Sequence, residues 1–282
     1  MIFSVCATDK DLDVNVPFPM RQKSFHDCAR IAELLGVDGI ELQIQDPADY
    51  DAKELRRSLD FYGIKASAVT TGMAYTFEGL SLSHPDKKIR SQAVERMKRQ
   101  LDLAKVLDSQ ILIGYMRGRK QPGQSYEDYE AILTDTIGEI AEYSAEIKTP
   151  TVFEQINHHD GDVFSSTERT MTFLEKFNND WLLYNGDTYH MAEEDPDVPA
   201  AIRRSLSKLA LFHVSDVGRN FPDGKHFDFQ VAAKTLITEG YTGWVTIEMK
   251  PLPDTLTSCV KGIRYLKEVF RDEDKFSLIR RN

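Results

Sequence analysis

The sequence predicts one α/β domain of the (β/α)8 TIM-barrel class over residues 1–282, and three observations carry that expectation. Short β-rich runs alternate strictly with longer helical patterns, which implies parallel strands joined by helical crossovers. No GxGxxG follows the first strand, where an open dinucleotide-binding sheet would usually carry one. Ionisable residues recur at strand ends in the second half, and a closed barrel would bring those ends together.

The elements are expected in this order. Residues 2–7 form an apolar first strand, too short for a signal h-region because Asp9, Lys10 and Asp11 follow at once. A helix over 24–35, a strand over 39–44, a helix over 52–61 and a strand over 64–71 come next. In the helix over 87–107, Ile89, Ala93, Val94, Met97, Leu101, Ala104 and Leu107 share one face. The strands 110–115, 151–155, 181–185, 209–214 and 244–248 then alternate with helices over 126–147, 167–177, 199–206, 229–238 and 255–270. Three long connections, 8–23, 72–86 and 116–125, follow strands one, three and four and are read as irregular. Loops of that length on one rim usually serve a function.

Composition excludes several classes. A length of 282 residues suits one large barrel better than two ordinary domains, and 41% hydrophobic residues suffice for its core. The 45 acidic side chains outnumber 35 basic ones, so the surface repels phosphate backbones and no nucleic-acid partner is expected. Cys6, Cys28 and Cys259 lie far apart with no metal or disulfide spacing, which points to free thiols and a cytoplasmic location. No run approaches membrane-spanning length, so no membrane partner is expected.

The chemistry is concentrated at the last four strand ends. Thr-Val-Phe-Glu154, Leu-Leu-Tyr-Asn-Gly-Asp187, Leu-Phe-His213 and Val-Thr-Ile-Glu248 each set one metal-competent group at, or just past, an apolar run. The spacings are 33, 26 and 35 residues (154 to 187, 187 to 213, 213 to 248), each about one βα repeat. Adjacent staves of a closed barrel would therefore present three carboxylates and an imidazole to one mouth. That oxygen-rich set suits one divalent cation, Mn²⁺ first, with Mg²⁺, Co²⁺ or Zn²⁺ as alternatives. A lone acidic residue at a strand end is commonly a solvated rim group or a helix cap. Four in four consecutive strands, one a His inside an apolar run, are hard to explain as rim polarity.

With these residues the chain resembles the xylose-isomerase-like sugar isomerase/epimerase superfamily and, within it, the ketose 3-epimerase type of metal site. The resemblance covers essentially the full length. It is strongest in Phe-Glu154-Gln-Ile-Asn157, Asp187-Thr-Tyr-His190-Met, His213-Val-Ser-Asp216-Val-Gly-Arg219, Pro222-Asp-Gly224-Lys-His226-Phe-Asp228 and Thr-Ile-Glu248. It implies a small sugar-like substrate, the four metal ligands just named, and a homodimer or homotetramer. It also implies that His190 and Arg219 hold substrate oxygens. One stretch departs from the family, which often reads Glu-Pro-x-Asn-Arg-aromatic-Glu where this chain has Glu154-Gln155-Ile156-Asn157-His158-His159-Asp160. Asp160 takes the place of a carboxylate that can meet the substrate's terminal hydroxyl.

The ligand set suggests the reaction. A cation bound to a carbonyl oxygen and the adjacent hydroxyl stabilises an enediolate, with Glu154 and Glu248 as catalytic base and acid. Return of the proton to the opposite face epimerises the carbon, and return to the neighbouring carbon isomerises the sugar. Loss of a β-hydroxyl would make a dehydratase instead. A non-catalytic sugar-binding barrel and an apurinic endonuclease are the further rivals, the latter disfavoured by few strand-end ligands in the first half. Weaker signals are Glu41 pointing into the mouth and Tyr75 or Phe77 closing over a ligand. The cluster Arg117, Arg119 and Lys120 is a candidate for a phosphate or carboxylate tail. Asp216 is a candidate orienter of His213, and His158 and His159 are by default a solvent-facing pair.

Overall fold

A computed structural model describes residues 1–270; residues 271–282 of the expected domain, and any share they have in it, lie outside the described residues. Nine strands are described: β1 (Ile2–Thr8), β2 (Met20–Arg21), β3 (Gly39–Gln43), β4 (Lys65–Thr70), β5 (Ile111–Ile113), β6 (Thr151–Glu154), β7 (Leu182–Asp187), β8 (Leu209–Val214) and β9 (Trp244–Ile247). All pairings between them are parallel. Eight close into a ring in the order β1, β3 to β9, because β9 pairs back onto β1. The two-residue β2 sits outside the ring, pairing Met20 and Arg21 with Ala7 and Thr8. The (β/α)8 barrel expected from the alternation is the observed fold.

Among the described residues ten α-helices surround the ring: α1 (Phe25–Leu35), α2 (Ala52–Phe61), α3 (Gly72–Glu78), α4 (Lys87–Val106), α5 (Tyr126–Ile147), α6 (Thr167–Glu175), α7 (Thr188–Glu194), α8 (Val198–Ser205), α9 (Phe229–Thr238) and α10 (Thr255–Val269). Most begin on a Ser or Asp whose side chain accepts a backbone N–H of the first turn, as Ser24, Asp51, Asp86, Ser125 and Ser166 do. Two of the ten depart from the sequence reading. The connection 72–86 is not irregular throughout, since it opens with α3. A further helix, α7, starts directly on Asp187. Both have seven residues, too short for an apolar stripe to show.

Strand alternation divides the core. Val5, Ile40, Val69, Ile111, Phe153, Tyr184, Phe212 and Val245 face the helices and join the main apolar cluster. The alternate residues Ala68, Leu112, Val152 and Leu211 form a separate cluster within the ring, with Leu183 and Trp244 packed against it. Trp244 needs Gly39 opposite it, because a Cβ there would lie 2.8 Å from the indole. One step further along the strands the same inward face turns polar.

The loop between β1 and β2 is held together by one side chain. Arg21 donates from Nε to the Phe18 carbonyl (3.0 Å) and from Nη2 to Asp13 and Val16 (2.9 and 2.7 Å). Its Nη1 donates to Leu12. Phe18 then packs with Met73 of α3 and with Cys6, and Leu12 and Val16 lie against them. This loop and α3 together wall one side of the barrel mouth.

Candidate metal centre

Register brings the expected ligands together. Glu154 pairs with Asn185 across β6 and β7, and Asp187 pairs with His213 across β7 and β8. Glu248 follows the last residue of β9, and its N–H is bonded to the Val214 carbonyl at 3.2 Å. One potential ligand atom from each of Glu154, Asp187, His213 and Glu248 lies within 4.8 Å of the others. His213 Nδ1 stands 3.3 Å from Glu248 Oε2, 3.4 Å from Glu154 Oε1 and 3.9 Å from Asp187 Oδ2.

Local structure fixes each carboxylate. Asp187 is also the N-cap of α7: its Oδ1 accepts the Tyr189 N–H at 2.9 Å, leaving Oδ2 for the site. Glu154 Oε1 accepts from Asn185 Nδ2 at 3.0 Å. Its Oε2 lies over Gly114, where a Cβ would come within 2.6 Å, so only glycine leaves the carboxylate its place. Neither Asn185 nor Gly114 was singled out as a partner of the ligands from the sequence. Their signal was the register and the crossing of strands, which a linear reading does not contain.

His213 is oriented from the first half of the barrel. Its Nε2 lies 2.8 Å from Glu41 Oε2, and both side chains are fully buried. Glu41 does point into the mouth, but its role is to meet this histidine. Asp216 does not orient His213; its Oδ1 accepts the Val217 N–H in a turn.

His190 and Arg219 reach the same place. His190 is buried on α7, its Nδ1 accepting the Asn157 N–H at 3.2 Å. Burial holds its pKa down at about 3, against the pull of Asp187, so the ring is neutral. Arg219 Nη1 contacts Asp187 Oδ2 at 2.5 Å and Glu248 Oε2 at 2.7 Å, and its guanidinium stacks on Tyr189. Its backbone is left-handed (φ 57°), a strained conformation of the kind found at functional positions.

The remaining candidates separate. Asp160 lies in the loop after β6 and borders an adjacent cavity with Tyr75, Tyr115 and Arg119, not the one at the ligands. His158 pairs with Glu194 at 2.5 Å and stacks on the exposed His159, as a solvent-facing pair would. Phe77 lines the main cavity and Tyr75 the adjacent one. The basic cluster divides. Arg117 is buried over the Phe153 ring, donating to the carbonyls of Glu154 and Val163, and burial lowers its pKa to about 10. Arg119 donates to the His159 carbonyl (3.0 Å) and Lys120 to that of Gln124 (3.0 Å).

Glu154, Glu248, His190 and Arg219 open onto a cavity of about 320 Å³, walled by Val16, Phe18, Met73, Phe77 and Leu112. A larger cavity, about 1050 Å³, lies at the other end of the barrel, beside Met1, Gly36 and Tyr241, and contains none of the four ligands. The donor set fits a divalent cation. Glu41, Glu154 and Asp187, which are buried, and Glu248, which is partly buried, put four carboxylates around one guanidinium and one imidazole. Like charges about 4 Å apart cost about 4 kcal/mol per pair at an effective dielectric constant near 20, and a cation among them reverses that sign. Burial, with Glu248 adding to it, raises the Glu154 pKa. Burial acts the same way on Glu248, but Arg219 and His213 outweigh it and hold that carboxyl low.

Comparison with known proteins agrees with this geometry. A ketose 3-epimerase of Arthrobacter globiformis is 24% identical over 215 residues, covering 76% of this chain and 73% of that protein. An L-ribulose 3-epimerase of Mesorhizobium japonicum is likewise 24% identical, over 76% of this chain and 71% of that protein. A solved structure of L-ribulose 3-epimerase has the same fold, with a TM-score of 0.82 at 18% identity over 98% of this chain and 97% of the other. The family model for the xylose isomerase-like TIM barrel matches residues 28–269. Most of the barrel, including all four ligand positions, falls within that match, and the chain belongs to the xylose isomerase-like TIM-barrel family.

Proposed function

We propose that the protein is a divalent-metal-dependent epimerase or isomerase acting beside the carbonyl of a small, unphosphorylated ketose. The observation that carries this is the meeting of Glu154, Asp187, His213 and Glu248 within 4.8 Å at the barrel mouth. The 3-epimerase relatives support epimerisation over dehydration. Manganese is the expected ion, on the mixture of three carboxylates and one imidazole.

When bound, such a cation supplies a Lewis acid that steadies negative charge on substrate oxygens as a neighbouring C–H proton leaves. The protein's own groups do the rest. Glu154 and Glu248 come from β6 and from just past β9, flanking the staves that carry Asp187 and His213. Glu154 Oε1 is engaged by Asn185, which leaves Oε2 to exchange a proton with the substrate. In the metal-free chain burial raises the Glu154 carboxyl while Arg219 and His213 hold that of Glu248 low.

His190 and Arg219 hold the substrate. Because Nδ1 accepts the Asn157 N–H, the neutral ring carries its proton on Nε2. Arg219 Nη2 lies 3.0 Å from that Nε2, so the guanidinium and the imidazole sit side by side at the cavity. A substrate oxygen within reach of both satisfies the pair. Asp160 borders the adjacent cavity, so on this reading it would meet a hydroxyl only at the far end of a longer substrate. Among the described residues the cavity is lined by no arginine or lysine beyond Arg219, and its outer wall is apolar, which favours an uncharged tail.

The test is solvent-deuterium exchange into a panel of ketoses and their terminal phosphates. Glu154→Gln and Glu248→Gln should each lose at least about a thousandfold, roughly 4 kcal/mol of barrier. Normal exchange in both variants overturns the proposal, and exchange confined to the phosphates overturns the choice of substrate class.

A further inference from the structure

We infer that Glu41, clamped by Cys6 and Gln43, is a positioning residue that sets which nitrogen of His213 faces the metal. The inference rests on the metal-dependent reading above. It starts from a buried carboxylate that is not among the four ligands.

Both oxygens of Glu41 are engaged by the protein. Oε2 lies 2.8 Å from His213 Nε2. Oε1 accepts from Cys6 Sγ and from Gln43 Nε2, each at 3.2 Å. Gln43 is held in turn by a hydrogen bond from the Thr70 hydroxyl to its Oε1. Three neighbouring strands, β1, β3 and β4, therefore converge on one carboxylate. The register shift between β3 and β4 falls at Ile40/Glu41, and such irregularities re-aim side chains beside active sites.

An imidazole has one proton to place when neutral. Donation from Nε2 to Glu41 puts it there and turns the Nδ1 lone pair toward Glu154, Asp187 and Glu248. Without that acceptor nothing in the protein holds the ring in this tautomer, and the other one would present an N–H to a cation. A second carboxylate behind a histidine ligand also makes the ligand nitrogen more basic. Packing alone does not account for Glu41, because an apolar residue of similar size would avoid the cost of burying a charge.

The experiment measures Mn²⁺ affinity by calorimetry on the metal-free full chain, and the visible absorption of the Co²⁺ form. Glu41→Gln should keep its fold and bind Mn²⁺ about 10- to 100-fold more weakly, with an altered Co²⁺ spectrum. Asp216→Asn, which changes a carboxylate three residues past His213 that caps a turn, should bind as the wild type does. Wild-type Mn²⁺ affinity in Glu41→Gln overturns the inference alone. A wild-type chain that binds no divalent cation overturns the metal reading and this inference with it. Cys6→Ala withdraws one clamp donor without touching Glu41 and should lose a few-fold in affinity. It replaces Glu41→Gln if that variant does not fold, and unchanged affinity in it then overturns the inference.

Discussion

The two halves of the barrel present different chemistry to one lumen. Strands β6 to β9 contribute the side chains that meet at the mouth: Glu154, Asp187, His213 and Glu248. Strands β1 to β5 contribute at the same level Cys6, Glu41, Gln43 and Thr70, and Gly114 just after β5. None of these is within the ligand group, yet several act on it. Glu41 holds His213, and Gly114 leaves room for Glu154. The contrast teaches that a half without ligands can still decide where ligands sit, through an oriented hydrogen bond on one stave and a missing Cβ on another.

That division of labour can be broken at either half. The largest effect is expected from Gly114→Ala, whose Cβ would sit 2.6 Å from Glu154 Oε2. On the role proposed for Glu154, a displacement of up to about an ångström costs up to about a hundredfold in rate, so kcat/KM should fall by about that factor. Near-normal kcat/KM in this variant would show that Glu154 has slack the structure does not suggest. In the second half, Asn185→Ala removes the hydrogen bond to Glu154 Oε1. A hydrogen bond to a charged group is worth about 1.5–3 kcal/mol, so a tenfold or greater loss in kcat is expected together with a fall of several degrees in melting temperature.

His190 gives a pH test. Its folded pKa of about 3 lies below the unfolded value of 6.5, so the unfolded chain takes up the proton first. Its contribution to stability is therefore complete above about pH 6.5 and is lost as the pH falls toward 3. In denaturant titrations of the metal-free protein, the stability difference between wild type and His190→Gln should fall by up to about 1.4 kcal/mol per pH unit below pH 6. A pH-independent difference would mean that His190 is not buried neutral. The smallest effect is expected for Arg119→Ala and Lys120→Ala, whose side chains bond to loop carbonyls. Both should keep KM within about twofold, and a large rise would restore a role for them in holding an anionic tail.

The barrel was legible in the sequence because strict alternation leaves few ways to cover both faces of a parallel sheet. Glu154, Asp187, His213 and Glu248 were legible because each ends an apolar run about one repeat from the next. Glu41 stood out only weakly, and its partner His213 lies 172 positions away. Gly114 and Asn185 had no local signature of their roles, since close approach and cross-strand pairing exist only after the ring closes. Arg117 was illegible for the opposite reason. Three basic residues in a loop resemble an anion site in composition, whereas the fold turns one of them inward to carbonyls and a phenyl ring.

One consequence follows from Arg21. A guanidinium that donates to four carbonyls of a single loop leaves that loop little conformational freedom to surrender when a guest arrives. Binding energy is then not spent on ordering this side of the mouth, and selection among sugars depends on how well each matches a preset contour. Guests of similar outline should be admitted with similar ease, whatever the configuration of their outer carbons.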